Sequence, residues 1–165
     1  MEIREVRPEE YEEAGRVTAD AYREYARGDD WDEYLKHIAN VADRARRTTI
    51  LAAFEDGRIL GTVTLELDRR VAEDEEHEEA QRLPPHEAHI RMLGVVPEAQ
   101  GRGVGRALMD ESIRIARERG KTLMTLHTTS RMTIAQRMYE RMGFERLPDW
   151  PVNPDFTLLS YRLKL

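Results

Sequence analysis

Between a strand-like run and a helix-like run stands Gln100-Gly101-Arg102-Gly103-Val104-Gly105. Glycines let a ligand approach the backbone, and the first N–H groups of the following helix lack helical partners, so this segment can hold an anion without a large positive charge. A diphosphate is the natural ligand for such a turn; a purely structural strand-to-helix turn is the alternative. Upstream, Glu87, His89 and Arg91 share side-chain parity on an extended chain if no bulge intervenes. His89 has a near-neutral reference pKa that suits a general base, and a satisfied or solvent-facing histidine is the competing reading. Glu87 and Glu66, the latter on a neighbouring predicted strand, are the carboxylate alternatives. His86 and His89 could suggest a metal pair, but their odd spacing directs them to opposite faces of a strand, and no metal is expected.

The elements that must position these groups follow from periodicity. Ile3 and Val6 suggest a short strand ended by Pro8, which suits a helix's first turn. Tyr11, Ala14, Thr18, Ala21, Tyr22 and Tyr25 then recur at helical spacing up to Gly28. Asp30 opens a second amphipathic helix with Trp31, Tyr34, Leu35, Ile38, Ala42 and Ala45 along one face. Runs 49–54 and 59–67 read as strands joined at Asp56-Gly57, a hairpin pair. Run 88–96 is a strand, 105–119 a helix with Gly120 as its stop, 122–128 a strand, 133–142 a short helix stopped by Gly143, and 156–165 a terminal strand. Strands separated by helices near both ends, with a hairpin between, predict an α/β (α+β) domain around one mixed sheet. The run Glu73-Asp74-Glu75-Glu76-His77-Glu78-Glu79 is too charged to bury and is expected to be a surface connection. It either steers a cationic amine or is simply solvated.

Two longer segments sharpen the picture. Leu93-Gly94-Val95-Val96-Pro97 leads into the glycine turn, and Ala135-Gln136-Arg137-Met138-Tyr139-Glu140-Arg141-Met142-Gly143-Phe144 follows downstream. Gln100, Gly103 and Gly105, together with Ala135, Tyr139, Gly143 and Phe144, give the chain a sequence that resembles the GNAT superfamily of N-acetyltransferases. The resemblance implies a central mixed, mostly antiparallel sheet flanked by helices and splayed between strands 4 and 5. It implies acetyl-CoA as cosubstrate, its pantetheine arm beside Leu93, Gly94 and Val95, and its diphosphate on Gln100, Gly101, Arg102, Gly103, Val104, Gly105 and Arg106. It implies direct attack by an amine, small molecule or protein N-terminus, with an oxyanion donor near Val95 and no acyl-enzyme.

The same resemblance makes Tyr139 the acid for the departing thiolate, although in isolation this tyrosine reads as helix packing. It makes His89 the first candidate for the base, ahead of Glu87 and Glu66. The first two helices and the loops near the last strands would cover the acceptor, which nominates Trp31, Tyr34 and Trp150. The sequence departs from the family's pattern at Met132, where asparagine is frequent, so Ser130 is the candidate to supply that polar contact. A non-catalytic acyl-CoA-binding sensor or structural module is the alternative, because a phosphate loop does not by itself imply chemistry.

Composition sets the outer bounds. The 165 residues, 40% apolar and 35% charged, suit one domain, 1–165, with one continuous core. With no cysteine there is neither a disulfide nor a thiol nucleophile. A net charge of −6 disfavours nucleic acid as a partner. No run approaches the ~20 apolar residues of a membrane span, and the N-terminus lacks the apolar stretch of a signal peptide, so a cytoplasmic protein, monomer or homodimer, is expected.

Overall fold

The computed structural model describes residues 1–25, 31–70, 82–154 and 156–165. The segments expected to be the Asp30 helix start and the acidic run 73–79 lie outside the described residues. Strand β1 is Glu2–Glu5, followed by a 3-10 turn at Pro8–Glu10 and helix α1, Tyr11–Arg23. Glu10 ties this entry together: its carboxylate accepts from both terminal guanidinium nitrogens of Arg4 at 2.8 and 2.6 Å and from the Arg7 N–H at 2.7 Å. The hydrogen bond from Arg4 holds its carboxyl down at about 2.

The single helix expected from Asp30 onward is two. Helix α2 is Trp31–Ala39 and α3 is Val41–Arg44. Asn40 leaves helical geometry at φ −79°, ψ 71°, and its side chain accepts from the Asp43 N–H, capping α3. An asparagine side chain competes with the helix for backbone hydrogen bonds, which helical periodicity does not register. The apolar stripe nonetheless keeps its purpose, because Ile38 and Val41 are both buried.

The rest alternates strand and helix: β2 Thr49–Glu55, β3 Arg58–Glu66, β4 Glu87–Val95, α4 Val104–Glu118, β5 Leu123–Thr129, α5 Thr133–Arg141, β6 Glu145–Arg146, β7 Trp150–Asn153 and β8 Phe156–Lys164. The sheet runs β1-β2-β3-β4-β5-β8-β6, with β7 also on β8. Among the described residues only β4 and β5 pair in parallel, so the sheet is mixed and mostly antiparallel, as expected. Strands β6 and β7 are not legible in the sequence: the first is two residues long, and Pro151 stands inside the second. No helix among the described residues is long and apolar enough to cross a membrane.

The two faces of the sheet differ. On one, Val63, Leu65, Ala88, Ile90, Met124, Leu126 and Tyr161 pack with Leu108, Met109, Ile113 and Ala116 of α4 in the main core. Below β1 and β2 the other face is also apolar, where Ile50, Ala52 and Phe54 meet Ala14, Val17 and Val41. Toward β4 and β5 that second face turns polar. Thr62, Thr64, Glu66 and His89 are all buried there, and cross-strand register sets Glu66 beside His89 and His89 beside Thr125. Buried polar rows are costly unless satisfied, so such a row in a domain of this size points to a site.

Candidate active site

Strand β4 changes character along its length. Its parallel pairing with β5 runs from Glu87↔Leu123 to Ile90↔Leu126 and goes no further, although both strands continue. Beside β3 the register slips: Thr64 pairs Arg91 and Thr62 pairs Gly94, so β4 carries an extra residue. Met92 takes up this bulge at φ 52°, a left-handed conformation that is unfavourable for a residue with a Cβ. Its buried side chain, packed with Ala19 of α1 and Ile38 of α2, holds it there. Because the bulge lies beyond Arg91, the common parity of Glu87, His89 and Arg91 survives.

Where β4 leaves β5, a cleft of roughly 290 Å³ opens. Its walls are Leu93, Gly94 and Val95 of β4, then Gln100, Gly101, Gly103, Val104, Gly105 and Arg106, with Tyr22 of α1, Tyr25 just past its end, Met132, Ala135, Met138 and Arg141. Gly94 permits the closeness of α1, since a Cβ there would stand 2.7 Å from the Ala21 Cβ. Gly103 is the N-cap of α4 at φ 81°, and no acidic residue occupies the helix's first turn, so the helix itself brings no counter-charge to its positive end; Glu24, across the cleft, accepts from Gln100 Nε2 at 3.4 Å. Those features fit a phosphate group, and the apolar walls fit an uncharged arm.

Several sequence-derived site residues stand differently from expectation. Arg102 is tied to Glu55 at 2.6 Å and does not line the cleft, whereas Arg106 lines it while bonded to Asp110 at 3.0 and 2.9 Å. Ser130 is exposed and off the cleft; Met132, which replaces the frequent asparagine, forms part of the wall and brings an apolar surface to it. Tyr139 is buried behind the wall, its ring packed against Phe144 and Tyr161. Burial, reinforced by Tyr161, pushes its hydroxyl far above the ordinary phenol range. Trp31 packs edge-on against Tyr34, which in turn meets Tyr22 of the cleft wall, whereas Trp150 stands on β7 with 67% of its surface exposed.

The polar row on β4 and β5 forms a connected network. Thr125 Oγ1 donates to Glu87 Oε1 at 2.5 Å and lies 2.7 Å from His89 Nδ1. The His127 ring is 5.2 Å from the His89 ring, and its Nδ1 is 2.9 Å from Ser160 Oγ. Arg91 Nε lies 3.0 Å from the buried Glu66 carboxylate. His89 itself is 7% exposed; burial above all, then the positive charges of Arg91, His127 and Arg70, lower its imidazole to about 3. That changes the expectation of a histidine titrating near neutrality, since the ring is neutral throughout the physiological range. Burial, Arg91 and Arg70 lower His127 as well. Thr125, His127 and Ser160 carry no signal of their own in the sequence, because their place beside β4 depends on strand order and register. Among the described residues no three metal-ligating side chains converge.

A profile described as the acetyltransferase (GNAT) family matches residues 4–144. A mycothiol acetyltransferase of Cellulomonas flavigena is 36% identical over 97 residues, which are 58% of this chain and 26% of that protein. The N-alpha-acetyltransferase RimI of Mycobacterium tuberculosis is 36% identical over 66 residues, 40% of each chain. The chain thus spans well under half the length of these curated relatives. The PaiA N-acetyltransferase of Thermoplasma acidophilum, solved in complex with coenzyme A, superposes with a TM-score of 0.72 at 15% identity, covering 98% of both chains. A profile that runs from β1 to the end of α5, over a sheet that parts between β4 and β5 beside a glycine-led helix, places this chain in the GNAT family of acetyltransferases.

Proposed function

We propose that the protein transfers an acetyl group from acetyl-CoA directly to a primary amine, and the observation that carries this reading is the parting of β4 and β5 beside the α4 N-terminus. The unpaired edge of β4 at Leu93 to Val95 offers backbone donors and acceptors to an amide-bearing arm. The first-turn N–H groups after Gly103 would take the diphosphate, with Arg106 and Arg141 at the rim. Met132 in place of a polar residue leaves that side of the arm to apolar contact.

The acceptor amine must first lose a proton. An alkylammonium with a pKa of ~10.4 pays roughly 4.6 kcal/mol for this at pH 7. The neutral amine then attacks the thioester carbonyl, and a backbone N–H near Val95 meets the developing oxyanion. No side chain in the cleft needs to form a covalent acyl intermediate. As the C–S bond breaks, the leaving sulfur is that of a thiol with a pKa of ~8.5, and Tyr139, buried behind the wall residue Met138, is the hydroxyl assigned to it. Its raised hydroxyl is a poorer acid than that thiol, so Tyr139 serves as a hydrogen-bond donor that steadies the thiolate, and the proton reaches the sulfur later from solvent. On the acceptor side, the Trp31–Tyr34 pair borders the cleft through Tyr22 and is the better-placed acceptor wall; exposed Trp150 is a secondary candidate.

The relatives set the range of acceptors to test. Their names point to a small-molecule acceptor for the mycothiol acetyltransferases and an N-terminal amine for RimI. Purified protein is incubated with acetyl-CoA and a pool of small amines and peptides with free N-termini, and thiol release and product masses are recorded together. An acetylated amine formed in step with thiol establishes the reading. Saturable acetyl-CoA binding with no acetylated product across the pool replaces it with a non-catalytic acyl-CoA-binding module.

A further inference from the structure

The α3 residue Arg44 is charged and almost wholly enclosed, with 2% of its surface exposed. Its main chain is fixed, since the carbonyl accepts from the Thr48 N–H at 3.0 Å and the Thr48 hydroxyl at 2.8 Å. Its Nε donates to Thr64 Oγ1 at 3.2 Å, whereas Nη1 is buried with no hydrogen-bond partner among the described residues. The neighbouring carboxylates are engaged elsewhere. Asp43 is paired with Arg47 at 2.8 Å, and Glu66, two residues beyond Thr64 on the same face of β3, lies 3.0 Å from Arg91. Burial lowers the Arg44 guanidinium to about 10, which still leaves it charged at neutral pH. A buried cation short of an anion is unfavourable, and a fold that holds one in place holds half of an ion pair.

The position of Arg44 ties it to the acceptor side of the cleft. Thr62, Thr64 and Glu66 share one face of β3, and the cross-strand partner of Thr62 is Gly94 of the cleft wall. On that face Thr62 Oγ1 lies 2.6 Å from Thr18 Oγ1 of α1, and one turn further along α1 the Tyr22 ring stands 3.5 Å from where a Gly94 Cβ would be. After burial, the strongest influences on the Arg44 charge are the Tyr22 and Tyr34 hydroxyls, so the guanidinium lies beside the aromatic pair that borders the cleft. Thr64 stands about 7 Å along β3 from Thr62, on the side away from the α4 N-terminus. Helix α2, which carries Tyr34, buries Ile38 alone among its residues. A helix so lightly held opens at small cost.

We propose that Arg44 anchors a carboxylate of the acceptor, which makes the substrate class an amino acid whose carboxylate stands several bonds from the reacting amine. The inference rests on the acetyl-transfer reading above. With the amine at the thioester near Gly94 and Val95, the ~7 Å step along β3 separates it from the group on Arg44. The carboxylate of an α-amino acid, one carbon from its nitrogen, does not span that step; that of an ω-amino acid does. Tyr34 swings away with α2 to admit the carboxylate, and Nη1 gains the charged acceptor it lacks. A planar guanidinium with one nitrogen already held by Thr64 presents its remaining N–H groups as a fork, the geometry that matches a carboxylate. The diphosphate is served at the opposite end, by the first turn of α4, so the cofactor makes no demand on Arg44.

Acceptor binding is measured by calorimetry on the intact chain saturated with CoA, which lacks the acetyl group, so that no turnover intervenes. The probes are γ-aminobutyrate and ε-aminocaproate, each against its primary amide, with glycine against glycinamide as the short pair. The wild type should bind the better ω-amino acid at least about tenfold more tightly than its amide, the difference that a hydrogen bond to a charged group makes, and should show no such preference for glycine. Arg44→Met should abolish the preference without weakening CoA binding or lowering the urea midpoint, since it removes an unpaired buried charge. Arg44→Lys, which keeps the charge, should retain part of the preference. Should Arg44→Met not fold, Arg44→Gln, which keeps a donor for Thr64, is read in its place. Equal affinity of the wild type for acids and amides ends the proposal, as does a preference confined to glycine or one that survives in Arg44→Met. An Arg44-dependent preference in a protein that forms no acetylated product from acetyl-CoA keeps the carboxylate site and removes the transferase reading; acetylation of acids and amides at equal rates keeps the transfer and removes the site.

Discussion

The two halves of β4 work by different means. From Glu87 to Ile90 the strand is held on both sides, and its side chains, Glu87 and His89, carry the polar network. From Met92 to Val95 it has left β5, and its contribution is backbone: a left-handed residue, a glycine that admits α1, and peptide groups freed from the sheet. Under the proposed function the first half holds polar side chains fixed in register, and the second offers main chain without a partner to the cofactor. The bulge at Met92 separates them.

The largest expected effect strikes the backbone half. Gly103→Val forces a branched side chain to φ 81° at the N-cap of α4 and places bulk over the free N–H groups. Its Cβ would meet no protein atom within 4 Å, so the domain should still fold. Acetyl-CoA affinity measured by calorimetry should fall by more than about tenfold, equivalent to ~1.4 kcal/mol; unchanged affinity would detach the glycine turn from cofactor binding. The polar network, read by the tautomer of His89, should not respond to this change.

Tyr139→Phe sharpens the boundary from the other side of the cleft. It removes one hydroxyl from a buried ring and leaves its packing on Phe144 and Tyr161. A lost hydrogen bond to a thiolate of about 1.5 kcal/mol predicts a kcat roughly tenfold lower with acetyl-CoA binding unaltered. A loss nearer a thousandfold would restore Tyr139 as a full proton donor, against the raised state of its hydroxyl.

A third outcome concerns acid. His89 in the folded protein lies near 3, below its value of ~6.5 in the unfolded chain. Between those limits the unfolded chain binds the extra proton, so stability present above about pH 6.5 is lost as pH falls toward 3. The slope from this one group approaches about 1.4 kcal/mol per pH unit. Urea unfolding at pH 7 and pH 4.5 should show a smaller acid loss in His89→Gln than in the wild type; an identical loss in both would place the acid-sensitive group elsewhere. The smallest effect is expected from the acidic run, where Glu75, Glu76, Glu78 and Glu79 replaced by glutamine should slow cationic acceptors slightly more than neutral ones. That difference should shrink as salt rises, since screening acts within about 8–10 Å; equal kinetics for both acceptors would leave the segment merely solvated.

Much of the fold was legible because its signals are local. The glycine turn, the hairpin at Asp56-Gly57 and the strand and helix runs around them fall within a residue or two of their observed bounds. The break at Asn40 was not legible, because periodicity records which face is apolar and not whether the helix is continuous. Strands β6 and β7 exist only through pairing with β8 and have little pattern of their own. Gln100, Gly103 and Gly105, which the sequence marks by a glycine-led turn, line the cleft, whereas His89 and Glu87 sit in the polar network on β4. The partner of Arg102 is not legible there, because Glu55 comes from a distant hairpin.

By itself the sequence determined the glycine-led turn, the parity that puts Glu87, His89 and Arg91 on one face, and the periodicities from which the sheet is built. These depend on neighbours a few residues apart, where covalent geometry and backbone conformation leave few choices. Only the tertiary structure decided that β4 parts from β5 after Ile90, that Met92 bulges, and that Thr125 joins His89 to Glu87. Register between strands is settled by packing across the whole sheet. The protonation of His89 belongs to the same class: an isolated histidine titrates near neutrality, and burial among Arg91, His127 and Arg70, brought together by the fold, moves it.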